Sequence, residues 1–343
     1  MVQRILVIKP SSFGDIVHLF PALELLKRQY PEAVLDFVVN PEFVPLLEFS
    51  PFPVERIIIF ERKKFNNVLT FFPALFRLIK VLRQEKYDLT IDFQGLFRSG
   101  LCAKLSRTEC RVGFAKPRES IAAMFYDRKI PVEKMHAVKR NVLLTEKLCD
   151  MESLSDVSWP QLPISASGRA ELPELPKRYM VLLPGTRWQS KQFPPEFFAA
   201  LIRKLREKMP EMEFVTAGGA SEAALSEAIG ENVINMTGKT TLASLFELLR
   251  SSCGVLGNDS GPLHAAAALN LPVFGFYGPT KPELTGPWGE NTAAFQRNDL
   301  PCIGCLKRQC QREKTLCHEL DIDSIAESVY DKLTKTNQIQ MEE

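Results

Sequence analysis

The sequence predicts an α/β protein made of two doubly wound, mainly parallel sheets. Short β-branched and apolar runs alternate with stretches of helical periodicity along almost the whole chain. A Ser- and Pro-rich segment without periodicity, residues 151–176, divides that alternation into two series of similar length. Composition agrees: with 45% hydrophobic and 24% charged residues, a chain of 343 residues has core enough for two domains. A formal net charge of +2 is not that of a general nucleic-acid binder, so no nucleic-acid partner is expected.

The first series opens with a strand over residues 4–9, a loop Pro10-Ser11-Ser12-Phe13-Gly14-Asp15 and a helix over residues 16–30. Strand-like runs follow at 34–39, 54–60, 89–93 and 111–114, with helical stretches between them. The chain enters its first strand at once, without an apolar leader or small-residue cleavage site. No uninterrupted apolar run is long enough to span a bilayer, so a cytoplasmic protein is expected. Residues 69–83 combine Phe71, Phe72, Leu75, Phe76, Leu78, Ile79 and Leu82 with Arg77, Lys80 and Arg83. Such a basic amphipathic helix either lies on an anionic membrane or packs its apolar stripe into the core.

The second series predicts strands at 179–183, 213–217, 233–235, 254–257 and 273–277, and helices at 195–208, 221–229, 242–249 and 262–269. Residues 321–333 have helical periodicity, and 334–343 read as a frayed tail. The resulting organisation is a first domain over 1–160, a linker over 161–176, a second domain over 177–320, and a terminal helix and tail over 321–343. The cleft between two such units is the expected site.

Four stations could carry chemistry. Residues 257–264, Gly-Asn-Asp-Ser-Gly-Pro-Leu-His, read as strand, tight loop and helix. Asp259 and Ser260 are candidate caps, Gly261 lets an anion reach the backbone, and His264 near the positive dipole end is expected to be a neutral imidazole. An ordinary capped helix with a satisfied histidine fits the octapeptide equally well. The loop after residue 183 offers Thr186 and Lys191 to a diphosphate without P-loop spacing. After the next strand, Glu222 could accept from ribose hydroxyls or serve a helix N-terminus. Asp15, following Gly14 at a strand end, suits a general base and equally suits a helix cap.

Two clusters complete the list. Arg62-Lys63-Lys64 could grip acidic groups or be solvated surface. Cys302, Cys305, Cys310 and Cys317 have spacing that admits a structural zinc, which would staple a loop rather than catalyse.

Together these stations resemble the bacterial lipopolysaccharide heptosyltransferases of glycosyltransferase family nine, the enzymes that use ADP-heptose. The likeness rests on residues 8–18, on Asp92-Phe93-Gln94-Gly95-Leu96, on His136-Ala137-Val138-Lys139-Arg140, on residues 184–191 with the Gly218-Gly219 turn, and on Asn258-Asp259-Ser260-Gly261-Pro262-Leu263-His264 followed by Tyr277-Gly278-Pro279-Thr280. The resemblance implies a GT-B fold of two Rossmann-like domains facing across a cleft, the first holding the acceptor and the second the nucleotide-sugar. A C-terminal helix crossing back to the first domain goes with it. It also implies inverting transfer of a heptose from an ADP-sugar to an inner-core acceptor, a lipid-linked saccharide at the inner leaflet. No metal cofactor is then required for catalysis, and the enzyme would be peripheral on the inner face of the cytoplasmic membrane. In those terms Asp15 is the base. Thr186 and Lys191 are the phosphate contacts, Glu222 the ribose contact, and Asp259, Ser260, Gly261 and His264 the donor loop. Ser12, Gln94, Arg62, Lys63, Lys64 and Arg118 are the acceptor set. A nucleotide-sugar epimerase on the same plan, a member acting on another sugar and acceptor, and a non-catalytic nucleotide binder are the rival readings.

Overall fold

A computed structural model describes residues 2–66, 68–152, 157–230 and 233–342. Ser153 and Ser155 of the Ser- and Pro-rich segment lie outside the described residues. The chain divides into two compact units, Met1–Pro163 and Ile164–Glu343.

The first unit runs β1 (Arg4–Ile8), α1 (Phe13–Val17), α2 (Phe20–Gln29), β2 (Val34–Val39), β3 (Val54–Ile59), α3 (Val68–Leu82), β4 (Lys86–Asp92), α4 (Phe97–Leu105), β5 (Arg107–Phe114), β6 (Arg128–Ile130) and α5 (Ala137–Leu148). Its six strands lie in the order β3-β2-β1-β4-β5-β6, all parallel. The central strand β1 is apolar on both faces, as a strand covered by helices on each side must be. The helix expected over 16–30 is two helices, because Pro21 has no N–H to continue a helix and begins α2 instead. In α3 the inward residues Leu78 and Leu82 join Leu6, Ile8, Val38 and Ile58 in one core cluster.

The second unit continues with α6 (Ala166–Ala170), β7 (Tyr179–Leu183), α7 (Pro195–Lys208), β8 (Glu213–Thr216), α8 (Ala223–Ile229), β9 (Ile234–Asn235), α9 (Leu242–Arg250), β10 (Gly254–Asn258), α10 (Gly261–Ala268), β11 (Val273–Tyr277), α11 (Pro282–Thr285), β12 (Thr292–Gln296) and α12 (Ile322–Glu342). Its parallel sheet has the order β12-β11-β10-β7-β8-β9. Residues from 164 onward belong to this unit. There Ser165 caps α6, its hydroxyl accepting from the Gly168 N–H at 3.2 Å, and its own N–H donates to Glu247 of α9 at 3.1 Å. The apolar face of α12, Ile325, Ala326, Val329 and Leu333, packs into the second unit's core beside Leu201, Leu205 and Phe274. Among the described residues no helix is long and apolar enough to cross a membrane.

Two strands escape the sequence pattern, β6 and β12. Both are sheet edges with a single neighbour, and their half-exposed sequences, Arg-Lys-Ile and Thr-Ala-Ala-Phe-Gln, give no apolar run.

Candidate active site

In each unit the chemistry-bearing residues collect at the carboxyl ends of the central strands, where a parallel sheet leaves room for ligands. In the first unit the β1 end delivers Lys9, whose buried ammonium donates to the Phe93 carbonyl at 3.0 Å. Asp15 is the third residue of α1 rather than the cap of a helix starting at Ile16. Ser12 occupies the N-cap position, and its backbone N–H and hydroxyl both donate to Asp15 Oδ2, at 3.0 and 2.8 Å. Burial pushes the Asp15 carboxyl pKa up. The Lys9 charge, the two Ser12 hydrogen bonds and the Arg118 charge outweigh it and hold the group below the usual carboxylate value. Lys9 in turn is lowered by burial, against the raising charges of Asp15 and Asp92.

The next strand end, that of β4, supplies Asp92, which sequence reasoning quoted within a motif but gave no role. It is fully buried and accepts four hydrogen bonds: Oδ1 from the N–H groups of Gln94 (2.8 Å) and Gly95 (3.1 Å), Oδ2 from Ser99 Oγ (2.7 Å) and the Tyr126 hydroxyl (2.6 Å). This carboxylate shapes the turn that carries Gln94, whose Oε1 accepts from the Ser11 N–H at 3.4 Å. Gly95 has φ +68°, and a Cβ there would stand 3.1 Å from Pro117 and 3.2 Å from the Arg118 nitrogen. That close approach seats Arg118 within electrostatic reach of Asp15 and Lys9. Arg140 joins them; it lies 3.8 Å over the Phe114 ring and donates to the Lys116 carbonyl at 3.2 Å. Arg62, Lys63 and Lys64 stand on a short 3-10 turn, the first two exposed and Lys64 paired with Glu61 at 2.7 Å.

In the second unit the organising residue is Asp259, 5% exposed. Neither it nor Ser260 caps α10 through its side chain. Ser260 takes the N-cap position without a cap bond, and its buried hydroxyl has no hydrogen-bond partner among the described residues. Asp259 turns instead to Lys191 Nζ and Thr280 Oγ1, each donating to Oδ2 at 2.6 Å, while His264 Nε2 lies 3.6 Å from Oδ1. Burial raises this carboxyl; the His264 imidazole and the Lys191 ammonium overcome it, leaving a pKa of about 2. Thr186 Oγ1 donates to the Asp259 carbonyl at 3.1 Å. Asn258, fully buried at the end of β10, donates to the Pro184 carbonyl at 2.6 Å and so ties the β7 loop to the α10 loop.

Glu222 is half-buried and accepts from the Gly219 N–H at 3.0 Å. A Cβ on Gly185 would stand 1.9 Å from its carboxyl carbon, and one on Gly218 2.1 Å from its Oε2. Both glycines leave room for this carboxylate where it lies, and burial raises its pKa. Thus Thr186, Lys191, Asp259, Gly261 and His264 come together around one loop, and Glu222 sits over the neighbouring one.

The cysteine cluster does not form the expected metal site. Among the described residues no three His, Cys, Asp or Glu side chains are placed to hold an ion. Cys302, Cys305, Cys310 and Cys317 are free thiols. Burial, and after it the neighbouring thiols, push Cys317 up to about 11. Packing is what the segment contributes. Ser190 donates to the carbonyls of Arg308 (3.2 Å, through N–H) and Lys307 (2.6 Å, through Oγ), and His318 Nε2 lies 2.8 Å from the Ser190 carbonyl while stacking on Phe193 at 4.3 Å. These bonds brace the residue before Lys191.

Residues 75–316 match the model of glycosyltransferase family 9 (heptosyltransferase). The chain belongs to glycosyltransferase family 9. Among curated family 9 proteins, lipopolysaccharide heptosyltransferase 1 of Pseudomonas aeruginosa is 30% identical over 323 residues, covering 91% of this chain and 89% of that protein. The solved structure of E. coli heptosyltransferase WaaC with ADP superposes with a TM-score of 0.77 at 25% identity, covering 96% of this chain and all of that one. WaaC with ADP-2-deoxy-2-fluoro heptose superposes with a TM-score of 0.72 at 26% identity, covering 86% of this chain and 93% of the other. The fold is therefore GT-B, two Rossmann-like units, and the protein is a glycosyltransferase of the heptosyltransferase type in lipopolysaccharide biosynthesis.

Proposed function

We propose that the enzyme moves a heptose from ADP-heptose to the inner core of a lipid-linked saccharide, with inversion at the anomeric carbon and with Asp15 as general base. The observation that carries this reading is Asp15 itself, a carboxylate kept ionised by Ser12, Lys9 and Arg118 at a strand end. The ADP carried by its structural relatives supports the donor.

In this mechanism Asp15 takes the proton of an acceptor hydroxyl as that oxygen attacks the anomeric carbon, and the C–O bond to the diphosphate breaks on the opposite face. A carboxylate of low pKa is a weak base. Its strength rises as an acidic group of the inner-core acceptor pairs with Arg118, because neutralising that cation removes one influence that depresses Asp15, while Arg62, Lys63 and Lys64 take further acidic groups. Ser12 and Gln94 orient the acceptor. Negative charge growing on the leaving ADP meets Lys191, Thr186, Ser260 and the N–H groups at Gly261, while Glu222 accepts from the ribose. Asp259 then acts through Lys191 and Thr280, whose positions it fixes, rather than by touching a phosphate of like charge. His264 completes the same loop. With that charge stabilisation supplied by the chain, no divalent cation is required.

The acceptor's lipid places the enzyme peripherally on the inner face of the cytoplasmic membrane. The test is incubation of the purified protein with ADP-heptose and an inner-core acceptor, with and without EDTA. Transfer that survives EDTA and gives the inverted anomer by NMR is the expected result. Isomerised donor without any acceptor would instead identify an epimerase.

A further inference from the structure

The apolar stripe of α3 leaves two phenylalanines facing water. Phe72 is 70% exposed and Phe76 73%, one turn apart and directed away from the stripe of Leu78 and Leu82, which fill the core. A helix that packs on one stripe has no structural use for phenylalanine on the other. Nor is the pair isolated. Of the nine large hydrophobic side chains exposed among the described residues, five belong to one layer over one face of the first sheet: Phe72, Phe76, Phe97, Ile121 and Met124. Leu78 and Leu82 of α3 share a core cluster with Cys102 and Ala103 of α4, and the turn Ser120–Phe125 lies against α4, the rings of Phe97 and Phe125 being 5.6 Å apart. Rings at 5.1, 5.9 and 5.4 Å link Phe60, Phe65, Phe71 and Phe72 in a chain that fixes Phe72 to the core.

Charge says what covers this face. From residue 62 to residue 84 the chain has the cations Arg62, Lys63, Lys64, Arg77, Lys80 and Arg83 and no carboxylate. Arg77 and Lys80 are exposed on the same helix as the two rings, and Arg83 is exposed just past its end. A helix facing water alone ordinarily mixes both signs, whereas outward aromatic rings among cations match an anionic bilayer, with rings at the acyl boundary and ammonium groups among phosphates. We propose that α3, with the turn Ser120–Phe125 beside it, is the face by which the first unit docks on anionic phospholipid. This rests on the lipid-linked acceptor of the proposed function and gives that reading a surface.

Flotation of the full chain with vesicles tests it. Binding to phosphatidylglycerol-rich vesicles should be at least about tenfold stronger than to pure phosphatidylcholine, and weakened by high salt. The double variant Phe72→Ser/Phe76→Ser should lose about tenfold or more of that binding, and Arg77→Gln/Lys80→Gln several-fold at low salt. Both variants should melt near the wild-type temperature, bind ADP as wild type does, and retain turnover on a soluble, deacylated acceptor. Unchanged vesicle binding by the phenylalanine variant, or no binding by the wild type, overturns the proposal. So does a dimer, seen by sedimentation, that the substitutions dissociate without altering flotation. Failure of the proposed function would show separately, as absence of transfer to the soluble acceptor by the wild type.

Discussion

Lys191 and Asp259, 68 residues apart in sequence, form a partly buried ion pair, Nζ to Oδ2, at 2.6 Å. The ammonium also lies 4.7 Å from the Trp188 ring centroid. The cation that the loop after residue 183 offers to a diphosphate is therefore held in place before any donor arrives, so little side-chain freedom is lost when a diphosphate binds.

Removing Lys191 should harm both folding and binding. Lys191→Ala leaves the Asp259 carboxylate buried without its cation, a loss of about 3–5 kcal/mol for such pairs. Urea unfolding should show it, and calorimetry should show ADP affinity falling tenfold or more.

Acid should unfold the second unit through the same pair. The Asp259 carboxyl titrates at about 2 in the fold, against about 3.9 in an unfolded chain. Its contribution, on the order of 2 kcal/mol, is complete above the unfolded value and is lost as pH falls from about 4 through 2. Stability measured against pH should flatten across that window in Asp259→Asn.

How much of this was legible in the sequence follows from what each feature depends on. Strands β2, β7 and β11 and helix α7 match their expected bounds because buried runs and amphipathic stripes are local patterns. The Gly-Asn-Asp-Ser-Gly-Pro-Leu-His octapeptide is legible as a strand-to-helix loop, yet its acid, a candidate cap for α10, instead holds Lys191 and Thr280. Such partners are chosen by the fold across tens of residues, and no spacing announces them. Asp92 was hidden for the same reason, its donors arriving from three segments. The cysteines misled in the opposite direction: a ligand-like spacing in sequence did not become a ligand-like geometry in space.

Asp92→Ala should be among the costliest single changes in the first unit. It strips an acceptor from four donors; the Ser99 hydroxyl keeps the Leu96 carbonyl, but the buried Tyr126 hydroxyl is left without its carboxylate, and an unsatisfied buried donor costs about 1–3 kcal/mol. A melting-temperature drop of several degrees or more, or insoluble protein, is the expected outcome.

Gly185→Ala should act on the donor without touching a charge. The new methyl group would collide with the Glu222 carboxyl, whose displacement moves the expected ribose contact. ADP should bind several-fold more weakly, while inorganic pyrophosphate, which has no ribose, should compete as well as before. Equal losses for both ligands would place Glu222 outside the ribose site.

The base assignment is tested most directly by the kinetics of Asp15→Asn, an isosteric change that keeps Ser12 as a neighbour but cannot accept a proton. Turnover with saturating ADP-heptose and acceptor should fall by about a hundredfold or more, with the ADP-induced rise in melting temperature unchanged. Full turnover combined with a lost ADP response would contradict it.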